Sequence, residues 1–415
     1  MLHYFFDFFQ PDNTFSTIHN LFNYISVRSA LAVIFSLFVT IYFGRHIIPY
    51  LKRKLVSDKI RKLGLEGELS KQGTPTMGGV IILSGILIPT LILCQLNNIY
   101  VQILILTSIW MAIIGFVDDY IKVFKNDKKG LGARFKIIGQ VSLGLLVSLV
   151  ILFHPKIVIQ EHVSHQSSSN FENRSLGLKN SISGSFLEEE KSLKTTIPFF
   201  KNNQLDYAAL FFHRPSYQAL TFLLFSFMII FIITGVSNSA NLTDGIDGLA
   251  TGISAIIGTT LAVFCYVSGN MIFAEYLDIM YIPNIGELVV FMSAFTGSCV
   301  GFLWYNSYPA QVFMGDTGSL TLGGIIGVVA ILVRKELLLP IFCGLFFIEA
   351  LSVIMQVSYF KYTKRIYGTG KRIFLMSPLH HHYQKKGIHE SKIVTRFWII
   401  CVFLCLLAFV TLKLR

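Results

Sequence analysis

Apolar residues in this chain gather into ten stretches of the length that carries a helix across the hydrocarbon core of a bilayer, about 17 to 25 residues. They are 28–50, 76–96, 100–122, 136–157, 218–237, 246–268, 286–305, 318–334, 336–360 and 394–413. Runs of this length have lipid as their solvent, and only a helix or a closed barrel satisfies its own backbone there. The pattern therefore predicts an all-α integral membrane protein with ten transmembrane helices. The segment 271–285, "MIFAEYLDIMYIPNI", is too short and too charged to span, and reads as an interfacial helix.

The polar segments between these stretches alternate in character. The loop 51–75 holds seven Lys or Arg, 120–136 holds six and 361–396 holds nine, together 22 of the chain's 35. The long segment 158–215 holds six basic and six acidic residues, so it is neutral. Basic loops mark the cytoplasmic side. Both termini are then expected outside, and 158–215 is expected as a polar, Ser- and Asn-rich insert on the outer face, loosely ordered and set within a single polytopic domain. Its "NRS" at Asn173 is a glycosylation triplet of the kind that arises by chance. The first residues, "MLHYFFDFFQPDN", lack a basic flank, so no cleaved leader is expected.

Composition narrows the classes. Hydrophobic residues make up 53% of the 415 residues and charged residues 14%, against about 25% charged in a soluble domain. The net charge of +12 would suit nucleic acid, but its confinement to alternate loops makes it a topology signal, and no nucleic-acid partner is expected. The six cysteines all lie inside apolar stretches without a CxxC pair, as small buried hydrophobes do.

Against this background the polar clusters stand out, and all fall on the cytoplasmic side. "KQGTPTMGG" ends the first loop, and "GFVDDYIKVFK" ends the third span. "SNSANLTDGIDGL" joins the fifth and sixth spans, "WYNSYPAQVFMGDTGSL" joins the seventh and eighth, and "SPLHHHYQKKG" precedes the tenth. Asp118 and Asp119 sit at a helix C-terminus, where the macrodipole disfavours them unless a cation compensates. Lys122, one turn on, suits a salt bridge or a phosphate. Asn238, Asn241, Asp244 and Asp247 recur every third residue and form one polar stripe if helical. Asp244 with Gly245 is also good turn chemistry, but a cap needs one such residue, not four. Asp316 lies between two glycines just before a helix. That is a fitting place for one carboxylate ligand of Mg²⁺ beside a phosphate, and also for an N-cap that Thr317 or Ser319 could supply instead. His380, His381 and His382 point three ways if helical, which suits contact with phosphate better than chelation of one metal. Glu349, inside the ninth span, is either functional or a protonated acid hydrogen-bonded within the bundle. A secondary transporter would place such groups near the bilayer midplane in repeated halves, whereas here they sit at span ends without a repeat.

The motifs "GTPTMGG" (73–79), "GFVDDYIKV" (115–123), "NLTDGIDGLA" (241–250), "PAQVFMGDTGSL" (309–320) and "SPLHHHYQKKG" (377–387), in that order, resemble those of the phospho-N-acetylmuramoyl-pentapeptide transferases. These are members of the polyprenyl-phosphate N-acetylhexosamine-1-phosphate transferase superfamily. The resemblance covers the chain except 158–215, which is longer than the family's usual outer loop. It implies Mg²⁺-dependent transfer of phospho-N-acetylmuramoyl-pentapeptide from its UDP-linked precursor to undecaprenyl phosphate, giving lipid I and UMP at the cytoplasmic face of a bacterial inner membrane. It implies Asp316 as metal ligand, Asp118 and Asp119 at the reacting phosphates, and Asp244 beside the metal. Asn241, Asp247, Asn306 and Phe313 would form the nucleotide side, and Asn238 is a further substrate-binding candidate. Lys71, Thr76, Lys122 and His380–His382 would surround the diphosphate and sugar. A homodimer is compatible with the reading. The alternative is a sister enzyme transferring N-acetylglucosamine-1-phosphate.

Overall fold

The computed structural model describes residues 21–54, 71, 73–125, 127, 130–160, 191–198, 204–208 and 217–413. Most of the basic first loop, the bulk of the 158–215 insert and Asn173 lie outside the described residues. The elements are α1 (Ile25–Arg53), α2 (Gly79–Leu93), α3 (Ile99–Phe124) and α4 (Ala133–Phe153), then the strands β1 (Lys194–Thr196) and β2 (Gln204–Asp206). They continue with α5 (Gln218–Thr243), α6 (Leu249–Ser268), α7 (Met271–Leu277), α8 (Glu287–Asn306), α9 (Gly315–Leu332), α10 (Leu339–Phe342), α11 (Gly344–Tyr367), α12 (Leu379–Lys385) and α13 (Glu390–Thr411).

Among the described residues nine helices are long and apolar enough to cross a membrane. The tenth expected span is α2, which has 15 residues. It begins three residues later than its apolar run because "GTPTM" is held as an extended segment, with Met77 at a positive φ of 72°. Phe313 N–H donates to Pro75 O, and Gly78 and Gly79 N–H donate to Phe313 O and Met314 O. The expected short helix after the sixth span is present as α7, seven residues long.

The middle of the bundle is α9, buried over nearly its whole length, with α2, α3, α5 and α6 around it. Two close approaches make this packing possible. A Cβ on Gly79 would stand 2.2 Å from Gly318 N, and one on Gly115 would stand 2.3 Å from Asp316 O. Only a missing side chain lets the backbones meet so closely, the small-residue rule of membrane helix packing. The Gly115 contact sets the register that brings Asp118 and Asp119, one turn further along α3, to the first turn of α9.

The opposite end of the bundle is fastened by charge. Arg28 meets Glu287 through two bonds of 2.7 and 2.6 Å, and both residues are buried. The insert contributes order here too. Strands β1 and β2 pair antiparallel, Thr196 N–H donates to Arg334 O, and Lys335 Nζ donates to Thr196 Oγ1 at 2.7 Å. The expectation of a loosely ordered insert therefore does not hold for this hairpin. The buried charges of Arg334, Lys335 and Glu336 give its otherwise polar sequence something to bind.

Candidate active site

Three carboxylates from two helices form the centre. Asp118, Asp119 and Asp316 each present an oxygen, and these oxygens lie within 4.8 Å of one another. Two lysines hold them. Lys122 Nζ stands 2.5 Å from Asp118 Oδ2 and 3.0 Å from Asp316 Oδ1, while Lys136 Nζ stands 2.8 Å from Asp118 Oδ1 and 2.5 Å from Asp316 Oδ2. Leu131 N–H adds a third donor to Asp118 at 2.7 Å. Three carboxylates against two ammonium groups leave the cluster about one negative charge, and its donors are hard oxygens. That set suits Mg²⁺ and not a soft transition metal.

Asp119 has a further task. Its Oδ1 accepts from Asp316 N–H at 3.0 Å, and its Oδ2 accepts from Thr317 N–H at 2.9 Å and from Thr317 Oγ1 at 2.6 Å. These donors belong to the first turn of α9, where backbone N–H groups have no helical partner. Asp119 thus caps α9 from a neighbouring helix, and α9 has no cap from its own flanking residue. The capping reading of Asp316 falls on this point: its side chain faces the two lysines.

Above the cluster opens a pocket of about 300 Å³. Of the residues singled out in the sequence, Lys71, Thr76, Asp119, Lys122, Asn241, Asp244, Asp247, Asn306, Phe313 and Asp316 line it. Asp118 lies buried beneath. Asp244 occupies the turn after α5. Desolvation, then the carboxylates of Asp316, Asp119 and Asp247, push its pKa up to about 8. Gly315, with φ 73°, is free to turn its N–H toward Asp244. Asn241 Nδ2 donates to Ser319 Oγ at 2.8 Å. Asn306 braces the far wall, accepting from Gly248 N–H and Thr251 Oγ1 and donating to Val312 O.

On the rim Lys71 joins Asp247 at 2.8 Å and Glu390 at 2.6 Å. Burial works against its charge, but the two carboxylates outweigh burial and raise its pKa. Asp247 is fixed in turn by Ala310 N–H at 3.0 Å and by its own N–H, which donates to Glu390. Asn238 lies outside the pocket lining; its amide donates to Gln140 Oε1 and Thr234 O between α4 and α5. The three histidines do point three ways. His380 turns to Glu349 and His381 to Gln384, while His382 accepts from Leu375 N–H.

Two residues with evident roles escape the sequence reading. Lys136 sits in the first turn of α4, where the macrodipole disfavours a cation, and that misfit is the available signal. Glu390 opens α13, where an acid is ordinary, and nothing local sets it apart.

Comparison with known proteins identifies relatives of the chain. A phospho-N-acetylmuramoyl-pentapeptide-transferase signature matches residues 71–83, and a glycosyl transferase family 4 model matches 190–334. The chain is 56% identical over 416 residues to the phospho-N-acetylmuramoyl-pentapeptide-transferase of Flavobacterium psychrophilum. It is 54% identical over 418 residues to that of Amoebophilus asiaticus, and 49% identical over 430 residues to that of Porphyromonas gingivalis. All three alignments cover 100% of both chains.

Proposed function

The chain belongs to the phospho-N-acetylmuramoyl-pentapeptide-transferase family, and on that footing we propose that it transfers phospho-N-acetylmuramoyl-pentapeptide from UDP to undecaprenyl phosphate, forming lipid I and UMP in peptidoglycan synthesis. The observation that carries the chemistry is the Asp118–Asp119–Asp316 cluster, bridged by Lys122 and Lys136 at the floor of the pocket. The signature at 71–83 favours this substrate over the N-acetylglucosamine-1-phosphate alternative.

In this reading the chain is one transferase domain of ten spans, with the 15-residue α2 as the tenth. Both termini lie outside, and the pocket opens to the cytoplasm of a bacterial plasma membrane. The basic loops of the sequence support that orientation. A homodimer finds no support among the described residues.

Mg²⁺ would be held by Asp316, with Asp118 and Asp119 at the reacting phosphates, and would neutralise diphosphate charge and polarise the bond to UMP. The lysines carry the rest of the electrostatic work. Lys122 and Lys136 present positive charge where anionic oxygens gather, so that charge moving onto the UMP leaving group is met by groups already in place. The attacking lipid phosphate has a second pKa near ~6 and is largely dianionic at neutral pH, which leaves Asp118 only a modest task as base. All the donors on Asp118 compete for its lone pairs, which favours direct displacement over an aspartyl-phosphate intermediate. Asp244 lies beside the metal site. Asn241, Asp247, Asn306 and Phe313 form the nucleotide side, Phe313 as a stacking face for uracil. Lys71 and Thr76 face the diphosphate and sugar from the pocket wall, while the His380–His382 run lies outside that lining, with His380 and His381 behind Gly245.

The test is UMP release by purified protein supplied with Mg²⁺, undecaprenyl phosphate and either UDP-N-acetylmuramoyl-pentapeptide or UDP-N-acetylglucosamine. Release with the first alone is the expected result. Release with the second alone would overturn the substrate assignment.

A further inference from the structure

Glu349 and His380 form a contact that the reaction as described does not use. Glu349 is wholly buried on α11, and His380 is wholly buried on α12. One carboxylate oxygen accepts from His380 N–H at 3.2 Å, and the other lies 3.1 Å from His380 Nδ1. The opposite ring nitrogen, Nε2, is buried and has no hydrogen-bond partner. It sits against Gly245, where an added Cβ would stand 2.2 Å away. Gly245 itself lines the pocket, between Asp244 and Asp247.

Charge balance fixes where the protons are. A carboxylate and a neutral imidazole carrying its proton on Nδ1 would leave a net negative charge in the bundle, an expensive arrangement. The pair is neutral overall in two ways: an ionised Glu349 with an imidazolium, or a protonated Glu349 donating to Nδ1 of a neutral ring. In both, Nε2 bears a hydrogen. A buried N–H without an acceptor is destabilising, and this one sits behind the glycine at the edge of the pocket.

We propose that Glu349 is a positioning residue of the transferase: it places a proton on His380 Nε2 and aims that N–H past Gly245 at an anionic oxygen of the bound substrate. The proposal rests on the transferase reading above. Gly245 is part of the device, because any side chain there would displace the ring.

The experiment uses the full-length protein in nanodiscs, with Glu349→Gln, Glu349→Leu and His380→Asn variants. It reads kcat and KM for UMP release, and the ¹⁵N resonances of the histidine rings, with His380 assigned from its absence in His380→Asn. In the wild type, Nε2 of His380 should resonate as a protonated nitrogen. The carboxamide introduced by Glu349→Gln can accept from His380 N–H and donate to Nδ1, so this variant should keep that signature and recover kcat to within about threefold. Glu349→Leu should lower kcat by about 10- to 100-fold, the scale seen when a metal-bound histidine loses the carboxylate that orients it, with little change in KM. An unprotonated Nε2 in the wild type, full kcat in Glu349→Leu, or equal damage by Glu349→Gln and Glu349→Leu in folded protein would each overturn the proposal. If Glu349→Leu does not fold, the wild-type and Glu349→Gln spectra and kcat decide. Failure of the wild type to release UMP, with Nε2 protonated as expected, would sink the substrate reading and leave the proton placement standing.

Discussion

Replacing Asp316 by Asn separates the chemical role of this carboxylate from a helix-capping one. Asn and Asp cap helices about equally well, so a capping residue would tolerate the change. Here the cap of α9 is supplied by Asp119 through three donors, and the variant should fold as the wild type does. What it loses is one negative charge facing Lys122, Lys136 and any cation among the three aspartates. A unit charge and a divalent cation about 4 Å apart interact by about 8 kcal/mol at an effective dielectric near 20. The pocket is open to water, and discounting by about three quarters for screening leaves about 2 kcal/mol, or roughly thirtyfold in the Mg²⁺ midpoint. Turnover at a Mg²⁺ concentration that saturates the wild type should fall by about 100-fold or more, and excess Mg²⁺ should restore part of it. The assay is UMP release against Mg²⁺ concentration for wild type and Asp316→Asn. An active variant with an unchanged midpoint would refute the metal assignment.

Asp118→Asn, Asp119→Asn and Asp244→Asn should each reduce turnover far more than affinity for UMP, which should stay within about tenfold, or 1.4 kcal/mol; calorimetric titration that found binding lost in step with turnover would make them substrate-positioning groups. Of the three, Asp119→Asn should also lower the melting temperature, because one amide oxygen cannot replace both carboxylate oxygens at the start of α9. Deleting 161–190 should leave UMP release largely intact, since the residues on either side, Gln160 and Lys191, join Tyr281 and the end of α4 rather than the pocket. A deletion running through the hairpin at 194–206 should instead cost stability, and a folded 161–190 deletion with under about a tenth of the activity would reveal a missed role. Burial lowers the pKa of Lys335 to about 7 from an unfolded value near ~10.4. The unfolded state binds the extra proton between these values, so wild-type stability should rise with pH across that window, by about 1.4 kcal/mol per unit. Lys335→Met should therefore raise the melting temperature most at pH 7 and below, and a gain that does not shrink toward pH 9 would contradict the burial argument.

Much of the fold is legible because lipid imposes a severe rule: a spanning stretch must be apolar throughout, so its ends are visible to within a few residues. α2 is the exception, since "TMG" (76–78) is apolar enough to count toward a span but lies outside the helix, where Pro75, Gly78 and Gly79 pair with Phe313 and Met314, a contact about 240 residues away in sequence. The hairpin at 194–206 is hidden for a related reason. Its partners, Arg334 to Glu336, belong to a distant loop, and its own composition is that of a solvated segment. Within the pocket, residue types such as Asp118, Asp244 and Asp316 stand out because carboxylates are costly near lipid. Lys136 and Glu390 do not, because each is ordinary until its partner is known. The run from Asn238 to Asp247 predicts one stripe, but α5 ends at Thr243, so Asn238 remains on the helix facing Gln140 while Asp247 turns to Lys71.

The two ammonium groups inside the aspartate cluster bear on the order of binding events. A bare set of three carboxylates would repel a nucleotide diphosphate and force the cation to enter first. With Lys122 and Lys136 already bridging Asp118 and Asp316, the residual charge is small enough for either to arrive before the other. Steady-state kinetics should then follow a random mechanism in which nucleotide and cation each tighten the other's binding by the same factor, as thermodynamic linkage requires.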